Sequence, residues 1–159
     1  MQVATKHFGT IEIDDKNIIA FPEGLPGFES DRKFAIVENN GEGHPFKWLQ
    51  SIVNPNTAFV IVNPFDIIHD YDIEISDETV KKLEIENIGD IVILSIVVIP
   101  QEVSKMSINL KAPVIINTKN GKGMQVILDT DKYCVRHYIL EELHGQEVKN
   151  SAGLNKEKR

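Results

Sequence analysis

Residues 90–100, with the sequence DIVILSIVVIP, form the longest continuous apolar stretch of the chain. Between residues 91 and 99 every side chain except Ser95 is aliphatic, and most are β-branched, so apolar and polar positions do not alternate. β-Branched crowding, Gly89 before the stretch and Pro100 after it favour a strand over a helix. The stretch is also shorter than the roughly 20 apolar residues that cross a bilayer. The pattern therefore predicts a central strand buried on both faces.

Most other apolar positions lie in short runs separated by turn-forming residues. The runs that predict strands are residues 2–6, 10–13, 17–21, 33–38, 46–53, 58–63, 106–110, 114–118 and 124–129. Turn residues at 54–57 and 119–123 predict hairpins. Many short strands at regular spacing predict a mainly β, single-domain, antiparallel β-barrel or sandwich-like fold over residues 1–140.

The stretch 66–75, with the sequence DIIHDYDIEI, alternates acidic and apolar residues. This pattern predicts a further strand with one buried face and one acidic face in water. Ser76 is a candidate N-cap, and Asp77 and Glu78 supply first-turn acids, so one short helix is predicted from residue 77 to 83 or 84.

The chain ends in a polar segment. Apolar content falls after Tyr138, and residues 141–159 are predicted to form a flexible tail, because they bury too little surface to offset their ordering entropy. Cys134 is the single cysteine, which excludes an internal disulfide. The first residues have neither the basic start nor the apolar run of a secretory signal, so we expect a cytoplasmic protein with no membrane segment.

The net charge of −7 is concentrated in one part of the chain. Residues 66–90, called the acidic segment below, contain nine acids and two bases, a net of 2 − 9 = −7, whereas the remainder has 15 of each sign. An acidic surface repels phosphate backbones and attracts basic protein surfaces, which argues against direct nucleic-acid binding. The alternative is that this charge only keeps the domain soluble.

The residues contain no signature of catalysis or metal binding. The histidine spacings match no zinc pattern, Cys134 has no cysteine partner, and no nucleophile-elbow, Walker or dinucleotide motif occurs. We therefore expect no cofactor, no metal and no enzymatic activity. The alternative is a small β-barrel hydrolase or ligand carrier that uses carboxylates near Asp70 and Asp72, which requires a buried pocket around them.

A series of short motifs runs through residues 1–138. The motifs are Phe21 with GLPGF at 24–28, Pro45 and Phe46 with LQS at 49–51, Phe59 with Val60, Pro64 and Phe65 with Asp70 and Tyr71, NLKAP at 109–113 continuing to Asn117, and Gly123 with Gln125 and Val126. In this order they resemble the flagellar assembly factor FliW family.

The resemblance implies a cytoplasmic, non-catalytic β-barrel that binds flagellin and the translational repressor CsrA. In that family, exported flagellin leaves the factor free to bind CsrA at a site apart from its RNA-binding surface, which relieves repression of flagellin translation. An acidic surface suits a basic RNA-binding partner. We therefore expect the CsrA contact at five residues of the acidic segment and its border: Phe65, Asp70, Tyr71, Asp72 and Glu74.

The flagellin contact is less defined by the sequence. An apolar groove or sheet edge near residues 24–28 or 109–117 is a candidate receptor for a helix or strand of flagellin. The corresponding residues are Leu25, Phe28, Leu110 and Pro113. The loop at 24–28, with two glycines and a proline, is either a structural corner or a recognition loop.

Overall fold

The computed structural model describes residues 1–38 and 45–143, and most of their regular structure is β-strand. The strands are β1 Gln2–Thr5, β2 Gly9–Glu12, β3 Ile18–Ala20, β4 Lys33–Glu38, β5 Lys47–Ser51, β6 Ala58–Val62, β7 Ile91–Val98, β8 Ser107–Ile108, β9 Val114–Asn117, β10 Lys122–Gln125 and β11 His137–Tyr138. The helix α1 spans Asp77–Leu83, and residues 140–143 are also helical. Short 3₁₀ turns occupy Asp15–Asn17, Pro64–Asp66, Ile88–Asp90 and Val103–Lys105.

The strand predicted from the apolar stretch is confirmed as β7, but the predicted burial on both faces is only partial, since Leu94, Ser95 and Val97 are buried whereas Val98 is 53% exposed. Its first half pairs with β9, and its second half pairs with β6 on one edge and β8 on the other. Seven strands, in the order β3, β4, β5, β6, β7, β9, β10, close into a barrel. The pairings are antiparallel except for a single parallel contact between Lys122 and Ala20, which joins β10 to β3 and completes the barrel.

Three clusters of buried apolar side chains stabilise this arrangement. The first fills the barrel interior, and its buried members are Ile19, Phe21, Leu25, Phe34, Leu49, Ile61, Leu94, Val114 and Ile116. The second lies outside the barrel beside β6, β7 and β8, with buried members Val62, Ile67, Tyr71, Val97, Ile108, Leu110, Leu128 and Ile139. The third lies under the hairpin of β1 and β2 and joins Val3 and Ile13 to Ala35. Full burial of each large side chain contributes about 1.5–3 kcal/mol.

The strand predicted at residues 66–75 is wrong. The chain turns at Pro64–Asp66, where the Asn63 side chain accepts a hydrogen bond from the Phe65 N–H at 2.9 Å, and it then runs to Ser76 without joining the sheet. The alternation of apolar and acidic residues nevertheless predicts correctly which side chains face the core and which face water. Apolar side chains in this stretch pack on the second cluster, and the acids between them are exposed. An extended chain lying on a core produces the same period of two as a strand in a sheet.

The predicted helix is confirmed as α1. The Ser76 hydroxyl accepts a hydrogen bond from the Thr79 N–H at 3.1 Å, as expected of an N-cap. The helix ends at Glu84, whose φ of 55° is left-handed. The two-residue strand β11 was not predicted, because so short a segment carries no periodic signal.

The predicted boundary between residues 140 and 141 falls inside the helical residues 140–143. Leu143 packs against the second cluster, and its N–H donates to the Ile139 carbonyl at 2.9 Å. The remainder of the predicted tail, residues 144–159, lies outside the described residues.

The loop at residues 24–28 generates a test of the fold. Gly24 has a φ of +70°, and an added Cβ would lie 2.7 Å from the Glu29 Cα, whereas Gly27 has a φ of +83° and open space around it. Gly24→Ala and Gly27→Ala therefore both carry the left-handed backbone penalty, of about 1–2 kcal/mol, but only the first adds a clash. We expect Gly24→Ala to lower the unfolding free energy, measured in urea, by about 1–3 kcal/mol more than Gly27→Ala does. Equal losses would mean that this corner tolerates displacement.

Candidate protein-binding site

The five residues predicted to bind CsrA lie on the stretch that follows β6, and four of them reach solvent. Phe65 is 37% exposed, and Asp70, Asp72 and Glu74 are exposed. Tyr71 is 3% exposed. Its side chain is therefore not part of the accessible surface, and any contribution it makes to binding comes through the position of its neighbours.

Tyr71 attaches residues 70–77, called the acidic stretch below, to the second cluster. Its ring centroid lies 5.5 Å from that of Phe65 and 4.6 Å from that of Tyr133. Its hydroxyl donates a hydrogen bond to the Leu110 carbonyl at 2.7 Å. Burial raises the pKa of the Tyr71 phenol above its ordinary value, with a smaller contribution from nearby Tyr133. Tyr71 thus remains a neutral hydrogen-bond donor, and its bond to Leu110 fixes residues 70–77 to the core.

A second contact holds the next residue of the stretch. The backbone N–H of Asp72 donates to the Tyr133 hydroxyl at 2.7 Å. Beyond it, Ile73 packs on the second cluster, and the capped start of α1 fixes Ser76. The acidic stretch is therefore fixed at both ends while its carboxylates face water.

The charges of the acidic segment divide into two parts. Towards its end, Glu78 pairs with Lys82 at 3.0 Å, and Glu84 and Glu86 pair with Lys122 and Lys119. In the part of the chain that the structure describes, the carboxylates of Asp70, Asp72, Glu74 and Asp77 have no ion-pair partner. Four unpaired carboxylates of the acidic segment therefore lie on residues 70–77, in the stretch that contains most of the predicted contact, whereas Asp90 at the end of the segment is unpaired among the described residues as well.

A groove borders this charge. Residues 72–79 face residues 124–133 across a space of about 830 Å³ that also includes Lys82 in its lining. Tyr133 closes one end of the groove, since it contacts both Tyr71 and Asp72. Ile127, on the far wall, is 79% exposed. The sequence did not predict this groove, because its walls come from segments about 50 residues apart.

The structure does not bring the four predicted flagellin contacts together on one surface. Leu25 belongs to the barrel interior and Leu110 to the second cluster, each 1% exposed, and Pro113 is also buried. Phe28 alone among them is exposed, at 42%. The loop at 24–28 is thus a structural corner that presents one aromatic ring.

The Phe28 ring continues into an apolar surface that sequence reasoning missed. Its centroid lies 5.0 Å from that of Phe59 in an edge-to-face arrangement. The pairing of Val60 with Val97 places half-buried Phe59 opposite Val98. Val98 pairs with Ser107, and Ser107 pairs with Tyr138, so buried Ser107 lies between these two exposed side chains. Cross-strand partners share a face of the sheet. Val98 and Tyr138 are 53% and 50% exposed. We call Phe28, Phe59, Val98 and Tyr138 the apolar row.

The hydrolase and ligand-carrier alternative finds no support in this geometry. Asp72 lines the open groove, but both Asp70 and Asp72 are exposed, so neither carboxylate lies in the buried pocket that this alternative requires. The barrel interior is filled by fully buried side chains such as Phe21, Phe34 and Leu49. No cluster of three potential metal ligands exists among residues 1–38 and 45–143.

None of the helices in the described residues is both long and apolar enough to cross a bilayer.

The fold is therefore a closed, filled β-barrel that presents an exposed acidic stretch and a partly exposed apolar row. The family model for the FliW protein matches residues 2–139. The chain belongs to the FliW family, a family of flagellar assembly factors and not of enzymes, which confirms the resemblance read from the motifs.

Relatives and a solved structure agree with this assignment. The chain is 50% identical to the flagellar assembly factor FliW of Ruminiclostridium cellulolyticum over 148 residues, covering 93% of this chain and 100% of the relative. It is 51% identical to that of Thermoanaerobacter pseudethanolicus over 143 residues, covering 90% and 95%. A crystal structure of the flagellar assembly factor FliW superposes with a TM-score of 0.81 at 33% identity, covering 88% of this chain and 97% of that one.

Replacing Tyr71 by Phe tests its anchoring role. Loss of the bond to the buried Leu110 carbonyl should lower the unfolding free energy by about 1–2 kcal/mol near neutral pH. Because the folded-state pKa of Tyr71 is raised above the unfolded value of 10.0, its stabilisation is complete below that pH and decreases as the pH rises above it. Urea denaturation of wild type and variant should therefore show a difference that shrinks above about pH 10.

Tyr138→Phe is the matched control, since Tyr138 is half exposed. We expect it to change stability by less than about 0.5 kcal/mol. Equal effects of the two substitutions at neutral pH would contradict the anchoring role of Tyr71.

Proposed function

We propose that this protein is a non-catalytic, cytoplasmic flagellar assembly factor with two alternative partners. It binds flagellin, and when free of flagellin it binds the repressor CsrA and antagonises it away from the RNA-binding surface, so that flagellin translation resumes. The observation that carries the CsrA part is the set of carboxylates on residues 70–77, which face solvent without a lysine or arginine partner among the described residues.

This surface has the chemistry expected for an RNA-binding partner. Proteins that bind RNA carry basic patches that neutralise phosphates. Such patches are attracted to Asp70, Asp72 and Glu74, whereas RNA itself is repelled by the same charges. Phe65 adds partly exposed aromatic area beside them, and Tyr71 supports the stretch from within. Aromatic contact with an acidic rim supplies both binding energy and orientation.

The switch between partners requires no motion in the barrel. Two binding equilibria that share one limiting component are coupled by mass action. If the two partners overlap in space, or if one alters the other's site, binding of flagellin lowers the amount of factor that is available to CsrA. The fraction of the factor that is bound to flagellin then follows the flagellin concentration, and the remainder is free to bind CsrA.

Charge reversal of the acidic stretch tests the CsrA contact. Asp72→Lys or Glu74→Lys should slow association with purified CsrA by about tenfold at low salt, and the effect should shrink as salt rises, because screening weakens steering. Stopped-flow fluorescence and titration calorimetry measure the rates and affinities.

Asp15→Lys provides a control with the same change in net charge. Asp15 is exposed on the 3₁₀ turn before β3, outside the acidic segment. Its variant should keep wild-type rates and salt dependence. If Asp72→Lys and Asp15→Lys behaved alike, the CsrA contact would lie elsewhere.

For flagellin, we propose a contact centred on Phe28, whose N–H donates to the carbonyl of Leu25 at 2.8 Å, so that the buried Leu25 fixes its position. The apolar row extends this contact and suits the apolar face of an amphipathic helix. Leu110 and Pro113 are buried and enter the proposal only as support for the surrounding chain.

Truncation of Phe28 tests the flagellin contact. Phe28→Ala should weaken binding of monomeric flagellin by about tenfold, as expected for an aromatic anchor. Val53, which is 69% exposed, serves as the control position, and Val53→Ala should bind as wild type does. Fluorescence anisotropy with labelled flagellin measures both. Equal affinities for the two variants would rule out Phe28 as the centre of the contact.

A further inference from the structure

The far wall of the groove is the free edge of a β-ladder. Beyond the end of β10, the Val126 N–H donates to the Pro113 carbonyl at 3.0 Å, and the Leu128 N–H donates to the Lys111 carbonyl at 2.9 Å. These bonds continue the antiparallel pairing with the chain that leads into β9. In such a ladder the alternate residues, here Ile127 and Asp129, direct their N–H and C=O groups to the opposite edge.

That opposite edge is unpaired. No backbone or side-chain group among the described residues bonds the main-chain N–H groups of Ile127 and Asp129. The near wall has the same property, since the main-chain groups of residues 73–75 also lack partners in the described part of the chain. Unpaired strand edges are templates for a further strand. The groove therefore has two walls that each offer main-chain hydrogen bonds to an extended chain.

The lining of the groove offers side-chain contacts to an extended chain. The groove has a volume of about 830 Å³. Its lining includes apolar side chains on the ladder side, which would contact alternate residues of an added strand. These apolar side chains are Met124, Val126, Ile127 and Leu128.

The charge of the lining selects a basic occupant. The groove is lined by five acids and two bases, a net of 2 − 5 = −3. The acids are Asp72, Glu74, Asp77, Glu78 and Asp129, and the bases are Lys82 and Lys132. The Lys82 ammonium is already held by Glu78 and Glu23, each at 3.0 Å. Four lining acids have no ion pair among the described residues, and they lie on both walls: Asp72, Glu74, Asp77 and Asp129.

We infer that the groove binds an extended basic segment of a partner protein by strand addition, with main-chain bonds to Ile127 and Asp129 and with lysine or arginine side chains directed to Asp72 and Glu74. This inference rests on the proposed function, in which the acidic stretch docks a basic protein, and specifies how the docking occurs. Specificity comes from alternation in the partner, since successive side chains of an added strand lie on opposite faces: basic side chains share a face with Asp72 and Glu74, and apolar side chains lie on the other face.

A defined probe tests strand addition on the wild-type protein. The probe is a fluorescein-labelled, end-blocked heptapeptide that alternates Lys and Val. Of two further peptides, one is methylated on the backbone nitrogen of every Lys and the other on that of every Val. Each modification removes the backbone N–H donors along one edge of the peptide strand and leaves the charge unchanged. Anisotropy titration should show saturable binding of the parent peptide, and about tenfold weaker binding of one methylated peptide than of the other.

A matched pair of variants tests the edge from the protein side. Ile127→Pro and Ile127→Ala both remove the exposed side chain, but only proline also removes the N–H donor. We expect Ile127→Pro to weaken the parent peptide by about tenfold and Ile127→Ala by less than about threefold. Asp72→Asn with Glu74→Gln should weaken it as well and flatten its salt dependence. Urea midpoints show whether each variant remains folded.

Three outcomes would overturn the inference. They are equal binding of both methylated peptides, absence of saturable binding, and self-association of the wild-type chain that Ile127→Pro abolishes, which would assign the edge to a second copy.

Measurements of CsrA binding distinguish failure of this inference from failure of the proposed function. If the Ile127→Pro variant binds CsrA normally while the Asp72→Lys variant loses CsrA binding, strand addition is refuted and the proposed function stands. If the wild-type protein binds the peptide but not CsrA, the choice of CsrA as partner is refuted and strand addition stands.

Discussion

The fold depends on β7, a strand with almost no polar side chain that is hydrogen-bonded along both edges and buries Leu94, Ser95 and Val97. Its first half belongs to the barrel through β9, and its second half also carries β8 and, through it, β11. Side chains of β7 enter both large clusters, since Leu94 lies in the barrel interior and Val97 lies in the second cluster outside. One strand thus joins the barrel to the layer that supports the acidic stretch.

That outer layer determines what the protein presents to partners. Tyr71 and Ile73 pack on the second cluster, and the Tyr71 hydroxyl bonds the chain just before β9. Because the apolar side chains of the stretch turn inward, the acids between them turn outward, and a surface of fixed geometry results. Carboxylates held in this way repel one another, and the attachment to the core offsets that repulsion.

The two proposed contacts differ in chemistry as well as position. The acidic stretch and the groove beside it offer charge and main-chain hydrogen bonds, whereas the apolar row offers aromatic and aliphatic area at the ends of several strands. In the proposed scheme, this division separates a basic partner from one that presents an apolar helix. No reacting group is needed, and the carboxylates remain exposed to water.

The sequence alone determined the elements that depend on local chemistry: the apolar run of β7, the cap at Ser76, most strands and the FliW motifs. It also located the excess negative charge. Tertiary structure decided the rest, because burial and register arise from segments far apart in the chain. The period of two at residues 66–75 could not distinguish a sheet strand from a chain packed on a core, and the burial of Tyr71, Leu110 and Pro113 depended on what covers them. The groove and the apolar row exist only where distant segments meet, and no local pattern encodes such a meeting.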